Sequence, residues 1–385
     1  MRHVAILAGL CVALLALRPS CEAQPAAKDP ILVGVMLPLS GSIADFGKSA
    51  HQGVLLAAEQ INAAGGIKGA QIKLKVIDTR SDPAKVEAAA KKLINEDKVC
   101  AAIGDVASGH TLVAARLFKD AKLPLITPCS TNDTLTEGNP WLFRACFADK
   151  QQGEACAVFA RQRLQKSKIA VLTERDSAYS KALAESFKKR AKELSGEIVA
   201  ENNYGSGTID WAPVVEALGD LSKLDLVFAP VYYSDAAMIT QELRQQGYTG
   251  TILGGDGWDS DQIVKLGGKA LDGAYWVGHF NAASDDAKEF VAAFRKKHDA
   301  QPDSLAALGY DALMMLKKAF MDAKTTTGKE VADALASLKE FKGATGLMSM
   351  DEKRVTKKSV FFFRAKGEAI TFDRELKAED VSKAK

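Results

Sequence analysis

Residues 101–131, AAIGDVASGHTLVAARLFKDAKLPLITPCST, decide the fold. Ala101-Ala102-Ile103-Gly104 has no polar face and reads as a buried strand. The chain then turns through residues 105–110 into a helical segment over 111–120. A second apolar run, 123–127, ends in Pro128-Cys129-Ser130-Thr131. Strand, polar tip, helix, strand, polar tip is the repeat of a parallel sheet, whose tips share the carboxyl edge where open α/β folds bind ligands. The start of a helix offers free N–H groups, and hydroxyls beside them suit a carboxylate. Ser108 alone reads as a helix N-cap. With hydroxyls on two successive tips, Ser108 and Thr131 read as half of a binding site.

The pattern extends in both directions. Upstream, 31–37 is uniformly apolar, 72–76 alternates, and Asp82-Pro83 opens a helix with an acceptor at the N-cap and proline at the first helical position. Residues 141–145 supply a further strand. The sequence then starts again, with helices over 150–165, 181–194, 211–218 and 236–246. Strands fall over 168–172, 197–202, 225–229 and 251–253, and polar tips over 176–180, 230–235 and 254–260. Beyond Val277, apolar helices over 286–298 and 305–323 suit covering an existing sheet, and 359–364 reads as a last strand before a charged tail. The fold class is α/β, two doubly wound parallel-sheet lobes with a ligand cleft between them.

Bulk properties agree. A chain of 385 residues exceeds the usual size of one core, so two domains are the default. With 47% hydrophobic and 26% charged residues it has ordinary globular composition, and a net charge of +3 without a long basic block argues against nucleic acid. Met1-Arg2-His3, an apolar run over 4–17, a break at Arg18-Pro19-Ser20 and the small residues of Cys21-Glu22-Ala23 form a secretory signal. Cleavage is predicted after Ala23, which makes the mature protein an exported one with a net charge of +2. Arg18-Pro19-Ser20 lacks the apolar residue expected before a lipid-modified Cys21.

Four cysteines remain, Cys100, Cys129, Cys146 and Cys156, without a Cys-x-x-Cys pair. Cys129 and Cys146 either pair, in an oxidising compartment, or stay as buried thiols. His51, His110, His279 and His298 lack ligand spacing, so neither metal nor cofactor is predicted. Ser108 lacks the glycine pattern of a nucleophile elbow, and the chain has no dinucleotide fingerprint, so no enzyme activity is predicted.

From about Ile31 to about Asp373 the chain resembles the periplasmic binding proteins for branched-chain amino acids, type I solute receptors of ATP-driven importers. The marks are GVMLPLSG at 34–41, INAAGGIKG at 61–69, LITP at 125–128 and GGDGWD at 254–259. The resemblance implies two lobes joined by three crossings, residues 29–147 plus 278–351 and 148–277 plus 352–385. It implies that Ser108 and Thr131, with backbone near Gly109 and Cys129, hold a ligand carboxylate. Asp256 would hold the ammonium and Tyr232 help with the head group, while Phe46, Tyr179 and Tyr310 wall the side chain. Phe46 stands where relatives often carry tyrosine or tryptophan, and Ala107 where some carry a disulfide cysteine. Trp258 either closes the pocket or packs beneath it, and the role of Asp259 is open.

The function implied is a monomeric receptor that captures an aliphatic amino acid and delivers it to an inner-membrane ABC permease and its ATPase. The competing readings are a sensor coupled to a membrane signalling protein and a binder of another small carboxylate or amide.

Overall fold

A computed structural model describes residues 28–326, 328–367 and 369–384. The predicted export signal lies outside the described residues. Among the described residues, no helix is long and apolar enough to cross a membrane.

The first sheet has five parallel strands, β1 (Ile31–Leu37), β2 (Ile72–Asp78), β3 (Ala101–Gly104), β4 (Leu125–Thr127) and β5 (Leu142–Arg144), in the order β2-β1-β3-β4-β5. β1 is central and buried almost throughout, as its lack of a polar face predicts. β2, at the edge, is half-buried over most of its length with Lys73 and Val76 exposed, so the alternation expected over 72–76 does not persist beyond its first residues. The second sheet takes up β6 (Lys168–Glu174), β7 (Glu197–Tyr204), β8 (Leu226–Ala229), β9 (Thr251–Gly254) and β10 (Tyr275–Gly278). A small three-stranded sheet follows, with β11 (Phe341–Gly343), β12 (Gly346–Met350) and β13 (Thr356–Lys357). The last strands, β14 (Val360–Lys366) and β15 (Ala369–Leu376), precede a short helix (Ala378–Lys383) and give the second sheet the order β15-β14-β10-β9-β8-β6-β7. β6 to β10 run parallel, and β14 and β15 add an antiparallel hairpin. The second sheet is therefore mixed rather than wholly parallel, and the presumed tail after residue 364 is its edge strand. Phe372, on that strand, packs against Phe361 and Phe363.

Late chain segments complete early layers. The helix Ser304–Asp322 packs along the helix Ala44–Ala63, which itself covers β1 and β2. The two helices approach closely at glycines. A Cβ on Gly53 would stand 1.8 Å from the carbonyl oxygen of Ala306, and one on Gly309 would stand 2.1 Å from that of Ala50.

Where the chain passes from the small sheet to β14, Lys358 is buried and donates to the Thr345 hydroxyl. Nearby Asp311 accepts from the amides of Ala344 at 2.6 Å and Thr345 at 3.0 Å and from the Thr345 hydroxyl at 2.6 Å. Burial pushes the Lys358 ammonium down to about 8, against the pull of the Asp311 charge. Between that value and the ordinary lysine range the unfolded chain holds a proton the folded chain has released. Lys358 therefore makes stability rise with pH across this window. Lys358→Met removes that contribution. Urea unfolding at pH 8 and at pH 10 should show the wild type gaining on the variant as pH rises, and parallel curves would refute the assignment.

Candidate functional site

Seven side chains meet at the carboxyl ends of six parallel strands. Phe46 follows β1, Ser108 follows β3, and Cys129 and Thr131 follow β4. From the second sheet, Tyr179 follows β6, Tyr232 follows β8 and Asp256 follows β9. With Val106 and Gly257 these residues line one small cavity between the two sheets.

Phe46, Ser108 and Tyr179 lie in the first turns of helices, Tyr232 is an N-cap, Asp256 opens a 3-10 turn and Cys129 and Thr131 lie in a loop, and the helices begin earlier than periodicity indicates. The helix after β3 spans Ser108–Asp120, and its N-cap is Ala107. Ser108 is thus inside the helix, and the reading of it as a mere N-cap is overturned. Its Oγ accepts from the Asn132 amide at 3.2 Å, which leaves the hydroxyl proton free to donate. The amides of Ser108, Gly109 and His110 occupy positions with no intrahelical acceptor. Gly109 is exposed and does not line the cavity itself.

Beneath these tips sits Asp105, fully buried. Its Oδ1 accepts from the Val106 amide at 2.6 Å and the Ala107 amide at 3.1 Å, and its Oδ2 accepts from Thr79 Oγ1 at 2.7 Å. Its carbonyl accepts from the hydroxyls of Thr111, Thr127 and Ser130. One aspartate therefore ties β2, β3 and β4 tips together. Buried Arg144 holds the second tip in place, donating to the carbonyls of Thr131 at 2.8 Å and Asn132 at 2.9 Å.

On the second sheet Asp256 is 3% exposed and its carboxylate is multiply bonded. Gln152 Nε2 donates to Asp256 Oδ1 at 2.9 Å and to Asp149 Oδ1 at 2.9 Å, and the Asp256 amide donates to Gln152 Oε1 at 3.2 Å. His279 Nε2 lies 2.9 Å from Asp256 Oδ2. Burial, then the nearby Asp256 charge, pushes the Asp149 carboxyl well up. Burial lowers His279, against the opposing pull of Asp256, and keeps the imidazole neutral near pH 7. The absence of ligand spacing among the histidines is thus no guide in three dimensions: Cys129, Asp256 and His279 offer ligand atoms within 4.8 Å of one another.

The aromatic wall is built from both sheets. Tyr179 and Tyr232 stack with centroids 5.1 Å apart, and Phe46 meets the Tyr232 ring edge-on at 6.0 Å. The Tyr179 hydroxyl accepts from the Gly257 amide at 2.9 Å. Tyr233 sits 5.1 Å from Phe46 but bonds outward to the Ser42 carbonyl. Tyr310 is elsewhere: its hydroxyl bonds Gln60 at 2.7 Å and its ring lies 4.9 Å from Phe290. The helix that carries it turns that face toward other helices, so it does not wall this cavity. Trp258 is fully buried beneath the tip, its Nε1 donating to the Ala229 carbonyl at 2.9 Å. Asp259 also lies outside the lining, and burial pushes it up to about 8.

Cys129 and Cys146 are both free and buried, so the alternative of a bridge between them falls. Burial raises the Cys129 thiol well above its ordinary value. It approaches His279 Nε2 at 3.9 Å, the nitrogen already facing Asp256. A nucleophilic triad needs base and orienting acid on different ring nitrogens, and an activated thiolate, and this cluster has neither.

A small buried cavity between two sheets, with donors on one side and a carboxylate on the other, defines a two-lobed small-molecule binding protein. Residues 30–369 match the family model described as periplasmic binding protein, and the chain belongs to that family. A Brucella abortus protein named Leu/Ile/Val-binding protein homolog 1 is 29% identical over 325 residues, 84% of this chain and 86% of that protein. A leucine-binding protein LivK from Thermotoga maritima superposes with a TM-score of 0.85 at 32% identity, covering 91% of this chain and 99% of that one. A LivJ substrate-binding protein from Streptococcus pneumoniae, solved with isoleucine, gives 0.83 at 32% identity, covering 90% and 98%.

Proposed function

We propose that this chain is the periplasmic solute receptor of an ABC importer and captures an aliphatic amino acid, with leucine, isoleucine and valine first. One observation carries the reading. The cavity sets free helix-start amides and the Ser108 and Thr131 hydroxyls on the first sheet against the Asp256 carboxylate on the second. A zwitterion has an anion and a cation a few ångströms apart, and this is a site for both. Phe46, Val106, Tyr179 and Tyr232 leave an apolar space for its side chain, and the names of the relatives favour a branched one.

The lobes in this reading are 29–147 plus 278–351 and 148–277 plus 352–385. Only the closed arrangement offers both charged ends at once, so the amino acid favours closure by its unequal affinity for the two states. The closed, monomeric receptor then meets an inner-membrane permease driven by an ATPase, and catalyses nothing itself.

A thermal-shift panel of amino acids and small carboxylates tests the assignment. Leucine, isoleucine and valine should raise the melting temperature in proportion to the logarithm of their concentration, because they bind only the folded chain. No response to any α-amino acid would sink it. Ser108→Ala removes a hydrogen bond to the carboxylate and should weaken leucine binding by about 1.5–3 kcal/mol, roughly 10- to 150-fold. Calorimetry with unchanged affinity would take Ser108 out of the site.

A further inference from the structure

The carboxylate pair at the centre of the molecule lacks a cationic partner. Among the described residues neither Asp149 nor Asp256 forms an ion pair with lysine or arginine, and Asp256 has only the imidazole of His279. An ammonium ion would need nothing more than oxygen acceptors there. The structure supplies two further groups, a thiol and an imidazole nitrogen, both of them ligands for transition metals rather than ammonium ions.

Their geometry matches a metal. Cys129 Sγ lies 3.7 Å from Asp256 Oδ2 and 3.9 Å from His279 Nε2, and the last two atoms are 2.9 Å apart. Tetrahedral zinc, with bonds of about 2.3 Å to sulfur and about 2.0–2.2 Å to nitrogen or oxygen, separates such atoms by roughly 3.3–3.6 Å. Each observed separation is within about 0.5 Å of that range. All three side chains are buried, and the three come from different parts of the chain. Phe147 stacks on the His279 ring with centroids 3.9 Å apart and holds its plane. His279 Nδ1 is buried without a partner while Nε2 faces Asp256 Oδ2, so a cation entering between them would replace the Nε2 proton, the ring proton moving to the vacant Nδ1. Cys129 and Asp256 also line the cavity, which leaves the fourth position facing it.

We propose that Cys129, Asp256 and His279 form a three-ligand site for a divalent transition cation such as zinc, and that this cation competes with the amino acid for Asp256. Binding converts the Cys129 thiol to a thiolate, the sulfur–proton bond giving way to a sulfur–metal bond with the proton released to solvent. Thiolate, carboxylate, neutral imidazole and a doubly charged cation then sum to zero charge. Since Cys129 follows a strand of the first sheet and Asp256 one of the second, the metal pins the two sheets together without any amino acid. The competition rests on Asp256 holding the ammonium, but the metal site itself does not.

Metal-stripped, full-length mature protein should be titrated with cobalt and followed by absorption. A thiolate-to-cobalt charge-transfer band should grow to a stoichiometry of one, vanish in Cys129→Ser and His279→Gln, and persist in Cys146→Ser. Zinc should displace the cobalt, and zinc at about 100 times its own dissociation constant should weaken leucine binding about 100-fold. No cobalt band in wild-type protein that still binds leucine overturns the site, whatever the variants do. A band that survives Cys129→Ser overturns the ligand set. Simultaneous saturation by zinc and leucine overturns the competition. A band in protein that binds no amino acid upholds the metal site and instead refutes the proposed function.

Discussion

Asp256→Ala should weaken leucine binding by about 2–5 kcal/mol, roughly 30- to several thousand-fold, the range for truncating one partner of a buried, hydrogen-bonded charge pair. The size follows from burial. At 3% exposure the carboxylate is shielded from water, so an ammonium brought beside an alanine has lost its hydration and gained no counter-charge. Asp149 does not stand in for it, because burial and the nearby Asp256 charge push that carboxyl well up and disfavour its ionised form. The fold should tolerate the change, since Asp256 lies in a tip after β9 and not in the sheet. Calorimetry with leucine reads the loss, and near-wild-type affinity would transfer the ammonium site elsewhere.

Gly53→Ala should lower stability by about 3 kcal/mol, at the upper end of the cost of over-packing, and the melting temperature by roughly 4 °C. The added methyl would stand 1.8 Å from the Ala306 carbonyl oxygen, a backbone atom that no side-chain rotation moves aside. Relief requires the helices Ala44–Ala63 and Ser304–Asp322 to separate along their whole contact. Gly309→Ala meets the backbone of Ala50 in the same seam, and the two substitutions should be less than additive because one separation relieves both. Heat denaturation without ligand measures this, and an unchanged transition would show that the helices are not tightly seated.

What the sequence made legible was local. β1, β3 and β4 are short, apolar and bounded by polar turns, and so were found from periodicity alone. Helix starts were not: Ser177 caps the helix that begins at Ala178, a signal passed over ahead of the apolar stripe, whereas the helix that begins at Tyr233 has no side-chain cap. β15 was missed since its alternation of Ile370 and Phe372 with charged residues resembles a solvated tail until Phe361 and Phe363 are placed beneath it. Ser108 and Thr131 were read from their two polar tips and Tyr179, Tyr232 and Asp256 from motif resemblance, and the structure brings all five to one cavity. The groups that orient them, Asp105, Gln152 and His279, were invisible. Gln152 and His279 stand 104 and 23 residues from Asp256, separations at which no periodicity operates. Tyr310 illustrates the reverse error, an aromatic in register with a family position whose hydroxyl is engaged by Gln60.

The return of late segments to early layers also dictates an order of assembly. As the chain emerges from its N-terminus, β1 to β5 are available after residue 144, yet the helix that seals one face of that sheet begins at Ser304. β10 gains its outer neighbour only when β14 arrives, and β14 only when residue 369 begins β15. Neither half is a contiguous folding unit, so most of the chain must be present before either core is watertight. Contacts of such long sequence separation make folding slow. They also leave the β10 edge open to pairing with other chains until the last twenty or so residues dock.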